Sequence, residues 1–343
     1  MSLRSSLSRT LAGITVLTLA TISLAGCVSR DSDTRTAAPP STVDAAQLSS
    51  VTLNVGDQKG VTQPLLEAAG LLAGTPYKVS FSSFTSGPPQ VEAATAGKID
   101  FAVTGNTPPI FGAAAGARIK VVSAYSNDAG GDQILVPADS PIRSVADLRG
   151  KRIAVAKGSS ANGHVLLQLQ KNGLTPADVQ LIYLQPSDGL SAFTARNVDA
   201  WAIWDPFTAI AQAQNGARTL TTATGVSNGY GFGIAADTAL ADPAKNTALA
   251  DFVSRIARAT AWAKANPSVW AAKYSSAIGV ATGVGAVAQG RSLRPAIPLD
   301  NSVIESEQQL YDAFVDAKLV PRGTPFSDYV DERFNSTVAE ATK

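Results

Sequence analysis

The sequence predicts an α/β fold of two lobes, each a mixed, mainly parallel sheet with flanking helices. Three observations carry this. Strand-like and helix-like segments alternate from residue 51 onward, the order that builds parallel sheets. The order then recurs: "AGKIDFAVTG" and "ARNVDAWAIW" each pass from a helix end through one hydrophobic residue and Asp100 or Asp199 into an apolar strand. Their spacing of about one hundred residues is too long for a solenoid repeat, so the recurrence reads as two related lobes, or as the echo any α/β chain shows. Third, the predicted strands run into turns of glycine and small polar residues that open helices.

Bulk properties narrow the possibilities. With 343 residues, one or two domains with sizeable cores are expected. A formal net charge of +1 gives no electrostatic reason to bind nucleic acid. One cysteine and one histidine exclude a disulfide framework and a Cys/His zinc cluster. No cofactor or metal is expected, and the molecule is expected to be a monomer.

At the amino terminus, "MSLRSSLSR" carries Arg4 and Arg9, and the apolar run after it is short for a membrane span. Residues 1–26 therefore read as a signal peptide. Cys27, the single cysteine, directly follows "LAG", the pattern of a bacterial lipobox whose cysteine is acylated; an ordinary signal peptide with an incidental cysteine is the alternative. Two or more acyl chains anchor stably where one is marginal. Removal of Arg4 and Arg9 would take the formal charge from +1 to −1. Residues 27–50 are polar, contain two adjacent prolines and lack periodicity, so a flexible lipid-anchored tether is expected.

The folded part is expected from residue 51. "VTLNVGDQKG" reads as a strand and turn, and "QPLLEAAGLLAG" as a helix opened by Pro64. "YKVSFSSF" is a second strand, "QVEAATAG" a helix and "KIDFAVTGN" a third strand. The second lobe repeats this with "KRIAVAKGSS", the helix "NGHVLLQLQKNG" closed by Gly173, the strand "VQLIYL", the helix "LSAFTARN" and the strand "VDAWAIWDP". The expected division is 51–132 with 235–343 for lobe 1 and 133–234 for lobe 2. "DFVSRIARATAWAKANPSVWAAKYSSAIG" and "NSVIESEQQLYDAFVDAKLV" have helical apolar spacing and are expected to cover the first sheet. The glycine-rich "GVATGVGAVAQGRSLRP" finds no place.

In open α/β sheets, ligands bind beyond the carboxyl ends of the strands. Those ends are "GDQKG", "FTSGPP" and "VTGNTPP" in one lobe, and "AKGSSANGH", "QPSDG" and "WDP" in the other. Helix amino termini present unpaired N–H groups and partial positive charge, and small residues let an anion approach them. Such turns also serve as plain helix caps, so only their convergence on one cleft points to a small anionic ligand. None of them contains arginine.

"SGPPQVEAATAGKIDFAVTGNTPPIFGAAAGA", "KGSSANGH" and "NVDAWAIWDPF" resemble the aliphatic sulfonate-binding proteins of ABC importers, a group that extends to nitrate and taurine binders. The resemblance spans about residues 51–335. It implies the type II periplasmic-binding-protein fold, an alkanesulfonate ligand, a permease partner and an extracytoplasmic location, here through the lipid anchor. Carried over residue by residue, it implies Gln58, Ser86, Gly87, Thr104, Gly105 and Asn106 on one wall. Ser159, Ser160, Asn162, Trp204 and Asp205 would form the other, with Tyr230 closing one end. Family members often carry Asp where this chain has Asn106, a departure that bears on the ligand's far end. Trp204 serves either an apolar tail or lobe packing; Asp205 either the ligand or a helix cap. Lys59 and Lys157 are expected in solvent, and His164 on a helix surface or just behind the ligand. Related enzymes on this fold, the sulfinate desulfinases, need a nucleophilic cysteine, and the one cysteine here belongs to the lipobox. A scavenging or sensing lipoprotein without a permease is a third reading.

Overall fold

The computed structural model describes residues 42–58 and 60–343. The signal peptide, Cys27, the greater part of the tether and Lys59 lie outside the described residues. Among the described residues, no helix is long and apolar enough to cross a membrane.

Two sheets organise the chain. Four strands come first: β1 (Thr52–Gln58), β2 (Lys78–Phe84), β3 (Phe101–Gly105) and β4 (Ile119–Ser126). Five follow: β5 (Gln133–Pro137), β6 (Arg152–Val155), β7 (Gln180–Tyr183), β8 (Ala200–Ile203) and β9 (Ala217–Thr222). Then β10 (Tyr230–Ala236) and β11 (Ala296–Ile297) complete the set. The first sheet has the order β11-β4-β10-β3-β1-β2 and the second β7-β6-β8-β5-β9. Within each sheet, three strands run parallel (β2-β1-β3 and β7-β6-β8) and the next runs antiparallel to them. That antiparallel strand is β10 in the first sheet and β5 in the second. Each enters its sheet directly after the chain has crossed from the other. All of β10 from Tyr230 belongs to the first sheet, ahead of the boundary expected at residue 235.

The recurrence seen in the sequence has a structural counterpart. Asp100 precedes β3, and its Oδ2 accepts the Asn54 N–H of β1 at 2.8 Å. Asp199 precedes β8, and its Oδ2 accepts the Arg152 N–H of β6 at 2.8 Å. Both carboxylates are also paired with a cation, Lys245 at 2.7 Å and Arg152 at 3.1 Å. The repeated Asp thus accepts a backbone N–H near the start of the neighbouring parallel strand, a group that is costly to leave unpaired in a folded chain.

Two expectations need correction. The tether was expected to run to residue 50, but Ala45–Leu48 forms a short helix with a capping box at Asp44. Leu48 is buried in the first-lobe core, and the Val43 N–H donates to Thr247 Oγ1 at 3.2 Å. The apolar Leu48 and the Asp44/Gln47 pair were the missed signals. The glycine-rich segment that had no place is mostly a helix, Thr282–Ser292, packed on Pro267–Ile278. Gly285 permits this: a Cβ there would lie 1.9 Å from Ser275 Oγ.

The carboxyl-terminal helices cover the first sheet. Phe252 of Pro243–Ala265 meets Phe101 of β3 edge-on, with centroids 5.7 Å apart. In the second lobe, separate apolar clusters fill the two faces of the sheet, as expected when helices flank both sides.

His164 is fully buried in the second lobe, not on a helix surface. Its Nε2 lies 3.1 Å from the Gln168 side-chain amide, while Nδ1 has no partner. Burial disfavours the imidazolium and lowers its pKa to about 4. The unfolded state therefore takes up the proton first, below about 6.5. Stability present above pH 6.5 is lost as pH falls toward 4, at up to about 1.4 kcal/mol per pH unit. Relative to wild type, His164→Gln should gain stability across this window, measured as the difference between urea melts at pH 7 and pH 4.5; parallel curves would refute the burial argument.

Candidate anion-binding cleft

A cavity of about 150 Å³ lies between the lobes, lined from both. The first lobe contributes Gln58 at the end of β1, Gly87 at the start of helix Gly87–Thr95, and Thr104 and Gly105 at the end of β3. The second contributes Ser159 and Ser160 at the start of helix Ser160–Lys171, with Trp204 and Asp205 after β8. These eight residues were named from sequence, and the fold brings them together. Ser86, Asn106, Asn162 and Tyr230 do not line the cavity.

Each of these four has a definite place elsewhere. Ser86 is fully buried, and its hydroxyl donates across the cleft to Gln185 Oε1 at 2.9 Å; the Thr85 hydroxyl does the same at 3.0 Å. Asn162 turns back into its own helix start, where its Oδ1 accepts the Gly158 N–H at 3.0 Å. Tyr230 packs on Phe232, with ring centroids 6.1 Å apart. Asn106 donates to Asn228 Oδ1 at 2.8 Å and Ser227 Oγ at 3.1 Å, in the segment joining β9 to β10. It therefore ties the β3 turn to the crossing and does not face the cavity.

The hydroxyls of the "KGSS" turn are already engaged. Ser159 donates to the Ala156 carbonyl at 2.6 Å and accepts the Asn162 N–H, as a helix cap. Ser160 donates to Asp132 Oδ1 at 2.6 Å. The other two turns offer few amides, because Pro88–Pro89 and Pro108–Pro109 occupy their first helical turns. What remains for an anion is limited: first-turn N–H groups, the helix dipoles, and any cation nearby.

That cation is Arg294, which the sequence reading missed. It lines the cavity, donates through Nε to the Gly229 carbonyl at 3.0 Å, and pairs through Nη2 with Asp132 Oδ2 at 3.3 Å. The strand-end turns, none of which contains arginine, give no sign of it. The signal was present as two arginines in "GRSLRP", but no strand-end rule points to a segment so far along the chain. The other, Arg291, forks onto Asp205 with two contacts of 2.9 Å. Asp205 also accepts the Ala209 N–H at 3.0 Å, so it both caps its helix and lines the cavity. Burial raises its pKa to about 6 against the opposing pull of Arg291. Trp204 likewise serves two roles: it lines the cavity and packs edge-on against Phe207 at 6.5 Å. Lys157 stands outside the cavity, its Nζ 5.7 Å from the Tyr183 ring.

With this geometry in view, the relatives can be placed. The sequence profile of the family described as NMT1/THI5 like matches residues 84–269, more than half of the chain. This chain belongs to that family. An Escherichia coli (strain K12) relative named "Putative aliphatic sulfonates-binding protein" is 35% identical over 285 residues, 81% of this chain and 88% of its own. Among solved structures, the alkanesulfonate-binding protein SsuA from Xanthomonas axonopodis pv. citri, bound to MOPS, superposes with a TM-score of 0.77. It is 30% identical, with 86% of this chain and 100% of that one covered. The periplasmic aliphatic sulphonate binding protein SsuA from Escherichia coli gives 0.70 at 33% identity, with 81% and 91% covered. The fold is thus the periplasmic-binding-protein fold of this NMT1/THI5-like family. The desulfurization enzyme DSZB shares the fold alone, at 18% identity and a TM-score of 0.61.

Behind the cleft, the Asn106 network ends on a buried acid. Asn228 Nδ2 donates to Glu307 Oε2 at 2.9 Å, while Glu307 Oε1 has no partner and the residue is fully buried. Burial raises the Glu307 pKa to about 8, so the carboxyl is held largely neutral at pH 7. The unfolded chain ionises it from about 4.5 upward. Stability is therefore full below 4.5 and lost as pH rises toward 8. Glu307→Gln should match wild type at pH 4.5 and exceed it increasingly up to pH 8, at no more than about 1.4 kcal/mol per pH unit. Guanidinium melts at both pH values provide the check, and a variant less stable than wild type at pH 8 would contradict it.

Proposed function

We propose that this chain is the extracytoplasmic binding component of an ABC importer and captures an organosulfonate between its lobes. The observation that carries the reading is the cavity itself: walled from both lobes, it joins a cation and two helix starts at one end to apolar and aromatic side chains at the other. A sulfonate has that division, a compact permanent anion on a hydrocarbon tail. The relatives named above supply the same ligand class. In the bound state, Arg294 and the first-turn amides near Gly105 and Ser160 hold the sulfonate oxygens. The lobes close by rotation about the segments 127–132 and 223–229, a hinge motion driven by tighter binding to the closed form. Cys27 tethers the folded part to the membrane surface, and a permease takes up the released ligand.

An enzymatic reading has less support. The single cysteine precedes the folded region. Asp132 and Asp205, the two carboxylates lining the cavity, are both committed to arginines.

A thermal-shift series tests the proposal, since a ligand that binds only the native state raises its melting temperature. Alkanesulfonates should stabilise the protein more than equimolar nitrate or sulfate; no shift with any sulfonate would refute it. Charged hydrogen bonds contribute about 1.5–3 kcal/mol each, so Arg294→Gln should weaken sulfonate binding by roughly tenfold or more. Gly105→Ala tests closure separately. A Cβ at Gly105 would lie 3.0 Å from Ser160 Cβ across the cleft, so calorimetry should show weaker binding with little change in the ligand-free melt. For the anchor, Cys27→Ala should move the protein from the membrane fraction to the soluble one; an unchanged distribution would exclude lipidation at that residue.

A further inference from the structure

The cavity continues from the lobe interface into the first lobe. Its inner wall is made of Leu65 from Thr62–Ala68, Ile256 and Thr260 from Pro243–Ala265, Trp270 and Tyr274 from Pro267–Ile278, and Gln289 from Thr282–Ser292. None of the six is more than 9% exposed. The polar atoms of this wall are largely used within the protein. Trp270 Nε1 donates to Gln289 Oε1 at 2.8 Å, and the Thr260 hydroxyl donates to the Ala257 carbonyl at 2.9 Å. The Trp270 and Tyr274 rings lie 5.3 Å apart, tilted by 46°. An incoming tail therefore meets carbon and ring surface.

The neighbouring carboxylates are also accounted for. Asp57 accepts the Thr62 N–H at 2.7 Å, Asp205 is forked by Arg291, and Asp132 is shared by Ser160 and Arg294. Of the three, the two that line the cavity, Asp132 and Asp205, are each paired with an arginine, so a cationic tail would meet no unpaired carboxylate on the cavity wall. The whole cavity, from the lobe interface to this inner wall, measures about 150 Å³; a protein cavity of that size takes up one benzene ring, so the inner part has room for no more than a single ring. Aromatic walls add edge and face contacts for a ring that a linear chain of similar area lacks.

We infer that this chamber seats the ligand's tail and selects a single aromatic ring, so that the substrate class is the small arylsulfonates and aminoalkyl sulfonates are rejected. This rests on the sulfonate reading of the cleft. Arg294 and the helix starts then hold the head group, and the chamber, on lobe 1 alone, decides among sulfonates. From the sequence, Trp204 of the opposite lobe stood as either a tail contact or lobe packing.

The test is calorimetry with benzenesulfonate, methanesulfonate and taurine on the wild-type protein and on two variants that fill the chamber from different helices, Thr260→Leu and Leu65→Phe. Wild type should bind benzenesulfonate about tenfold or more tighter than either other ligand, because only it buries a ring. Each filled variant should lose about tenfold or more for benzenesulfonate and roughly threefold or less for methanesulfonate, which leaves the chamber empty. Using two helices prevents a folding defect in one variant from deciding the result. Equal affinities for benzenesulfonate and methanesulfonate in wild type, or benzenesulfonate binding untouched by both variants, would overturn the chamber while leaving the sulfonate site standing. Taurine binding as tightly as benzenesulfonate would overturn the selectivity. Failure of all three ligands, with hexanesulfonate also silent, would overturn the sulfonate reading itself.

Discussion

Asp132 is the group on which the arrangement of the cleft depends. It closes the first crossing between the lobes. Its side chain accepts the Ser160 hydroxyl from the second lobe at 2.6 Å and pairs with Arg294 from the first at 3.3 Å. Its carbonyl accepts the Ala223 N–H at 2.9 Å, which ties the first crossing to the second. A buried carboxylate is costly in isolation, and breaking such a pair by removing one partner typically costs about 3–5 kcal/mol. Each partner is thereby pulled to one place: the hinge segments side by side, the "KGSS" helix start at the cleft, and the carboxyl-terminal arginine over β10. Asp205 and Arg291 make a second connection of the same kind a short distance away.

The topology explains why these groups meet at all. Each sheet takes its antiparallel strand from chain that has just crossed from the other lobe, β5 in one direction and β10 in the other. The parallel strands β1, β3, β6 and β8 therefore all end toward the same gap. Helix starts follow them, so partial positive charge from both lobes accumulates there. The close approach of Gly105 to Ser160 shows how little side-chain volume that gap tolerates.

The cleft divides by polarity. Its charged groups, Arg294, Asp132 and Asp205, lie near the lobe interface and are paired, Arg294 with Asp132 and Asp205 with Arg291 behind it. Three of its aromatic groups, Tyr125, Trp270 and Tyr274, belong to the first lobe and are buried, while Trp204 comes from the second. Asn106 sits behind this division and anchors the β3 turn to Asn228 and, through it, to Glu307. An aspartate there would set a second buried acid close to Glu307.

Local sequence determined the elements and one half of the site. Alternating apolar segments, prolines at helix starts and the repeated Asp100 and Asp199 are short-range signals, and the lobes follow from them. Gln58, Gly87, Thr104, Gly105, Ser159, Ser160, Trp204 and Asp205 were legible because a strand end is a local event whose position implies a cleft. Only the tertiary structure decided the rest. Arg294, Trp270 and Tyr274 lie on helices or in loops far from any strand end, and they reach the cavity because the last helices pack back on the first sheet. Ser86, Asn106 and Asn162 occupy the expected turns but point away from the cavity. A turn's position is set by neighbours in sequence, whereas the direction of its side chains is set by long-range hydrogen-bond partners such as Gln185 and Asn228.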